Sequence, residues 1–227
     1  VELAPPRRGP LTLTALGAEV FGLLVILYFF AHWGRREPFD LILKILPMVF
    51  LMTHLKLRGT GSRLQRWVML GLGLSLVGDV LLAKAVDQFI PGLIAFLLAH
   101  LAYIRGLHLG GAPWHWPRLV PVALFGLGMA AALVPGLEPA LGGAVSAYTV
   151  VICVMAWRAL ARIGQPGTAG AGWMAIGAGF FLASDSLLAW SRFQPEFRWD
   201  GELIMLSYWA AQLFLTAGAV RSQPQDA

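Results

Sequence analysis

Apolar residues run along this chain in long, nearly unbroken blocks, without the alternation of a half-buried strand or the one-sided stripe of a soluble helix. Eight such blocks cover about 13–32, 39–55, 64–84, 89–109, 118–135, 138–162, 169–193 and 201–221. A helix needs roughly 20 mostly apolar residues to cross a bilayer. The pattern therefore predicts an all-α polytopic membrane protein of about eight transmembrane helices. Residues 1–227 read as a single transmembrane domain, because little chain remains between the blocks for anything else.

The breaks carry their own signals. Trp33-Gly34-Arg35-Arg36-Glu37-Pro38 closes the first block, and Pro47 inside the second removes a backbone donor and can bend a helix. The stretch Gly110-Gly111-Ala112-Pro113-Trp114-His115-Trp116-Pro117 has the composition of an interfacial aromatic belt. Two blocks also resemble each other. MLGLGLSLVGDVLLA at 69–83 and AIGAGFFLASDSLLA at 175–189 match at seven of fifteen positions with a constant offset of 106. In each, a Gly-x-Gly pair (Gly71 and Gly73, Gly177 and Gly179) precedes an aspartate, Asp79 or Asp185, by the same distance. An offset of about four spans makes both helices run the same way, so the sequence predicts a possible parallel 4+4 internal duplication. Ala-His-Leu at 99–101 and Ala-Gln-Leu at 211–213 are a candidate matching pair.

Composition agrees with the blocks. The chain is 58% hydrophobic and only 13% charged, against about 25% charged for a soluble globule. Its mean hydropathy is +0.69. The sequence starts without a methionine, which reads as a trimmed start, and Arg7 and Arg8 precede the first block. That block is long and no small-x-small cleavage pattern follows it, so it reads as a span rather than a signal peptide. The one cysteine, Cys153, leaves no internal disulfide and no multi-cysteine metal site.

A net charge of +5 raises the question of nucleic acid. With eight spans, eleven basic residues (Arg7, Arg8, Lys56, Arg58, Arg63, Arg66, Arg105, Arg118, Arg158, Arg162 and Arg221) fall on the side of the termini. Five (Arg35, Arg36, Lys84, Arg192 and Arg198) fall on the other, with Lys44 inside a span. This asymmetry places both termini in the cytoplasm. It is a topology signal that predicts no nucleic-acid partner. The expected location is a bacterial cytoplasmic membrane.

Polar residues inside the blocks are the candidates for chemistry, because an ionisable side chain in a span costs about 2.5–3.5 kcal/mol on insertion scales and marks a site or pathway. Asp79 lies five residues before the outer end of its span and Lys44 five after the outer start of its own. Both therefore sit about 7–8 Å below one boundary. Asp185 and Tyr208 come slightly deeper, and His100, Gln212 and Tyr148 near the middle. Glu19 lies near the opposite face and reads as a snorkelling or paired carboxylate. The glycine pairs read as close-packing surfaces between helices. Alone, either aspartate would be a structural acid and His100 a core histidine; the matched depths argue for a shared site.

Missing motifs narrow the chemistry. There is no Gly-x-Ser-x-Gly elbow, His-Glu-x-x-His, Walker loop or aspartate-rich metal motif, which leaves acid/base work by carboxylates. Several segments then resemble a known family in order along the chain. These are Lys44-x-Leu46-Pro47, Gly78-Asp79-Val80-Leu81-Leu82, and the stretch from Phe89 through His100 to Tyr103. Ser184-Asp185-x-Leu187-Leu188-Ala189 and Ser207-Tyr208-x-x-Ala211-Gln212 follow. Together they resemble the YhhN-like membrane lysoplasmalogenases, with Ser207 where the family often has threonine.

The resemblance implies an eight-span enzyme that hydrolyses the vinyl ether bond of lysoplasmalogens. Its products would be a fatty aldehyde and a glycerophospho-ethanolamine or -choline. Its partners would be a lysophospholipid with an alkenyl chain and the surrounding membrane lipids. Protonating an enol ether creates an oxocarbenium ion, the cation that paired carboxylates stabilise in glycosidases. Asp79 and Asp185 are thus expected to be catalytic, sharing a proton as a pair, with Lys44 holding the remaining negative charge or a substrate phosphate. His100, Tyr103, Tyr208 and Gln212 are expected to orient water or the ether oxygen, with Ser184 and Ser207 as donors behind them. No metal and no cofactor is expected. Two other readings stay open: a proton- or cation-coupled transporter or lipid-binding protein using the same acids, and a hydrolase or isomerase acting on another membrane lipid.

Overall fold

A computed structural model describes residues 15–34, 37–109, 113–166, 168–195 and 197–222. Arg7, Arg8, Arg35, Arg36 and the expected start of the first span at residue 13 lie outside the described residues, as do Gly110, Gly111, Ala112, Gly167 and Glu196. The described residues form eight α-helices and no strand: α1 (Ala15–Trp33), α2 (Glu37–Arg58), α3 (Arg63–Leu81), α4 (Phe89–His108), α5 (Trp116–Leu133), α6 (Pro139–Ala161), α7 (Ala171–Phe193) and α8 (Asp200–Arg221). From α3 to α8, six helices are long and apolar enough to cross a membrane. The apolar stretch of α1, Gly17–Trp33, is shorter, and α2 carries charge at both ends and Lys44 within. Large apolar side chains such as Ile26, Phe30, Ile94, Leu124 and Leu127 point outward. In water that surface would be costly; in a bilayer it is the expected exterior.

Local sequence explains the helix ends. At the start of α3, Ser62 Oγ accepts from Gln65 N and Gln65 Oε1 accepts from Ser62 N, a capping box that satisfies two donors otherwise left open. Prolines in the first turns of α5 and α6 occupy positions where no amide donor is needed. α3 stops at Leu81, three residues before the expected end. There Gln88 N turns back to Leu81 O, and Asp87 adopts a positive φ of 48°.

Two helix pairs, α3 with α4 and α7 with α8, pack along most of their length. Small residues allow it. Gly71 lies under the Tyr103 ring, and a Cβ at Gly78 would sit 2.5 Å from Phe96. A Cβ at Gly177 would sit 2.8 Å from the Ala211 carbonyl oxygen. Gly73 and Gly179 do not share this role. A Cβ at Gly73 would meet only Met52, at 3.9 Å, and one at Gly179 nothing within 4 Å. The close-packing expectation therefore holds for one glycine of each pair.

The helix contacts are nearly unchanged when α1–α4 are exchanged with α5–α8. The sequential pairs within each half correspond, and the crossing contact of α2 with α8 corresponds to that of α6 with α4. This is the arrangement a parallel 4+4 repeat produces. The halves differ at their outermost helices. From α1, Phe21 packs on Phe50 at 6.1 Å between ring centroids, and Tyr28 meets Trp209 edge-on at 4.9 Å. In α5 the corresponding helix carries Gly126, Gly128 and Ala130–132. Where α1 fills its side of the bundle with rings, α5 leaves a cleft.

Candidate active site

Asp79 is reached first. It lies in the last turn of α3, where carbonyls lack an intrahelical donor. Ala83 N bonds Val80 O, and the Asp79 carbonyl instead accepts from Lys44 Nζ at 3.3 Å. The same ammonium stands 3.9 Å from Asp79 Oδ1. Tyr208 of α8 donates its hydroxyl to Asp79 Oδ2 at 2.6 Å. The carboxylate is thus enclosed, with a cation at a helix C-terminus where the macrodipole also favours one.

Asp185 on α7 has a different set. Tyr148 of α6 donates to its Oδ2 at 2.5 Å. His100 of α4 brings Nε2 to 3.5 Å from that oxygen. The other ring nitrogen, Nδ1, is 2.6 Å from the Phe96 carbonyl oxygen; a carbonyl only accepts, so Nδ1 carries a proton. Nε2 then faces the carboxyl group as a lone pair unless a second proton is present. The contact is favourable only when the His100–Asp185 pair holds a proton, on the ring or on the carboxyl group.

The two sites follow one plan. Each aspartate takes one partner from the second helix of its own half, Lys44 or Tyr148, and one from the fourth helix of the other half, Tyr208 or His100. Between them runs a line of rings: Phe181 lies 4.6 Å from His100 and 5.7 Å from Tyr208, centroid to centroid. The expected proton-sharing pair is therefore replaced by two separately partnered carboxyl groups.

The remaining candidates divide. Tyr103 donates to Gln212 Oε1 at 2.7 Å, so these two form a buried polar tier beside the Asp79 site. Ser184 donates instead to the Ile204 carbonyl at 3.0 Å, tying α7 to α8. Ser207 donates to Leu203 O and Ile204 O of its own helix. Neither serine hydroxyl is directed at a carboxylate. Tyr148, which the sequence places near mid-membrane without a role, is a further member of the site.

Asp185 opens onto space. A narrow cleft, partly open to its surroundings, lies between α4, α5, α6 and α7, and Asp185 and Tyr148 line it. Apart from Thr149 and Ser186, its other walls are hydrocarbon, including Leu93, Phe125, Met129 and Ile152. Asp79 is not among its lining residues. Among the described residues, no group of three or more His, Cys, Asp or Glu side chains is gathered as a metal-binding set.

The fold and the site together define a polytopic membrane protein that holds two acidic groups inside its helix bundle, one of them facing a hydrocarbon-walled cleft. The chain belongs to the YhhN family, whose profile matches residues 39–219. It is 34% identical over 198 residues to the lysoplasmalogenase TMEM86B of Homo sapiens, a match covering 86% of this chain and 82% of that protein. To human lysoplasmalogenase TMEM86A it is 32% identical over 193 residues, covering 80% of this chain and 78% of that protein. To a lysoplasmalogenase of Mycobacterium tuberculosis it is 35% identical over 168 residues, covering 69% of this chain and 61% of that protein. No solved structure matches significantly.

Proposed function

We propose that this protein hydrolyses the vinyl ether bond of lysoplasmalogens inside the membrane, with both termini and the basic loops on the cytoplasmic side. The names of its relatives support the reaction. The observation that carries the assignment of a site is the cleft, which sets a carboxyl group and a tyrosine hydroxyl against a mostly hydrocarbon-lined space, with an imidazole buried behind the carboxyl group. A single alkenyl chain fits such walls, and its polar end then lies beside Asp185.

In this reading the His100–Asp185 pair gives its proton to the vinyl carbon remote from the ether oxygen. The carbon bonded to oxygen becomes an oxocarbenium ion, which the new carboxylate faces and stabilises. Water adds to that carbon and returns a proton to the pair, leaving a hemiacetal. The pair then protonates the departing glycerol oxygen as the carbon–oxygen bond breaks, and recovers a proton from the hemiacetal hydroxyl. One water is consumed and no net proton. Tyr148 holds the carboxylate that forms after each proton transfer. Asp79, with its charge balanced by Lys44, acts as a positioning residue that fixes Tyr208 against Phe181 and so the far side of the ring line.

The test is aldehyde release from a 1-alkenyl lysophosphatidylethanolamine by the purified protein in nanodiscs. A general acid contributes about 100- to 10,000-fold, so Asp185→Asn should lower kcat by at least about 100-fold. A wild-type protein that releases no aldehyde would sink the reaction, and a fully active Asp185→Asn would sink the site.

A further inference from the structure

We propose that Arg192 binds the phosphate of the substrate's head group at the mouth of the Asp185 cleft; the inference rests on the hydrolase reading above. Asp185 and Arg192 are seven residues apart on α7, which places them on one face, about 10 Å apart along the axis. Leu188, Ala189 and Phe193 of that helix all line the cleft between or beside them. Arg192 is itself exposed, in the last turn of α7. Its guanidinium carbon stands 4.6 Å from the centroid of the Phe89 ring, and Phe89 lines the cleft at the start of α4. The ring contact holds the cation at the rim while leaving the edge of its fork, with its N–H donors, open to a ligand.

Among the described residues no carboxylate forms an ion pair with Arg192. Two acids at the start of α8 have partners of their own: Asp200 Oδ2 accepts from Ser191 Oγ at 2.5 Å, and Asp200 Oδ1 from Gly201 N at 2.7 Å. Glu202 Oε1 accepts from Trp33 Nε1 at 2.9 Å. Lys44, the other cation expected to be able to meet a phosphate, is engaged by Asp79.

The spacing suits the ligand. In a lysoplasmalogen six bonds separate the vinyl carbon bearing oxygen from phosphorus. With that carbon at Asp185, an extended glycerol backbone carries the phosphate toward the rim, where a long arginine side chain covers the remaining distance. Arginine recognises phosphate through parallel N–H donors, a geometry that lysine does not reproduce. The alkenyl chain then extends the other way, toward Phe125 and Ile152.

The experiment compares two substrates with the same chain, a 1-alkenyl lysophosphatidylethanolamine and a 1-alkenylglycerol that lacks the phosphate. Arg192→Gln should raise KM for the phospholipid about tenfold, or about 1.4 kcal/mol, and leave kcat within about twofold. Arg192→Lys should fall between. For the alkenylglycerol, wild type and both variants should be alike. A non-hydrolysable 1-alkyl lysophospholipid should inhibit the wild type more strongly than Arg192→Gln. Inorganic phosphate should inhibit neither, which separates a lipid head group from a free anion. As a control, Arg198→Gln, whose guanidinium stacks on Trp199 and not on a cleft residue, should match the wild type. An active wild type with an unchanged KM in Arg192→Gln, or equal KM shifts for both substrates, overturns this assignment alone. A wild type inactive on both lipids overturns the hydrolase reading and this inference with it.

Discussion

Replacing Tyr148 by phenylalanine removes the hydroxyl that donates to the proposed acid and little else. The hydroxyl donates to Asp185 Oδ2 at 2.5 Å, while the ring lines the cleft and meets the His100 ring edge-on at 5.4 Å between centroids. Phenylalanine keeps the ring. What is lost is a hydrogen bond to a carboxylate, worth about 1.5–3 kcal/mol. That bond matters most after the proton has left, when Asp185 is negative and His100 Nε2, at 3.5 Å, is its one remaining recorded partner. The loss therefore falls on the transition state more than on the resting site, and kcat should drop about 10- to 100-fold. KM should hold within about twofold because the hydrocarbon wall is intact. Steady-state aldehyde release measures both constants, and thermal unfolding in detergent checks that the variant is folded. A folded Tyr148→Phe protein with wild-type kcat would refute the assignment of Asp185 as the acid.

Lys44→Met should lower stability by about 3–5 kcal/mol, since it strands both the Asp79 carboxylate and its carbonyl; combining it with Asp79→Asn should recover part of the loss, as read by chemical denaturation in mixed micelles. Gly177→Ala should cost about 1–3 kcal/mol, because its Cβ would sit 2.8 Å from backbone atoms of α8, whereas Gly179→Ala, with nothing within 4 Å, should be neutral or slightly stabilising. Equal melting temperatures for the two alanine variants would contradict the packing described. Met129→Trp should obstruct the cleft and raise KM for long alkenyl chains more than for short ones; a uniform change across chain lengths would place the chain elsewhere.

The helices are legible because bilayer crossing imposes a length on each apolar run, and the eight helices end within a few residues of the expected bounds wherever those bounds fall in the described residues. Depth was legible for the same reason. The helical rise brought Lys44 level with Asp79, and the two stand 3.9 Å apart. The direction a residue faces around its helix was not legible. Tyr148 sits among Ser146 and Thr149, whose hydroxyls bond back to Gly142 O and Val145 O of their own helix. Nothing in the run distinguishes the one that reaches across to α7. Ser184 and Ser207 failed in the opposite sense, being next to functional candidates in sequence and bonded to backbone in space. The segments around the two aspartates are alike, and what separates the sites lies outside them: Lys44 and Tyr208 at one, Tyr148, His100 and the cleft beside α5 at the other.

The crossed partnership of the aspartates has a consequence for the chain as a whole. Cut between α4 and α5, neither half would keep both partners of its acid: Asp79 would lose Tyr208, and Asp185 would lose His100. A single four-helix unit of this plan is complete only as a two-fold dimer, and such a dimer must repeat any substitution in both of its sites. Joining the two units in one polypeptide lifts that restriction. One site can then hold a lysine and close, while its twin holds a histidine and opens to lipid.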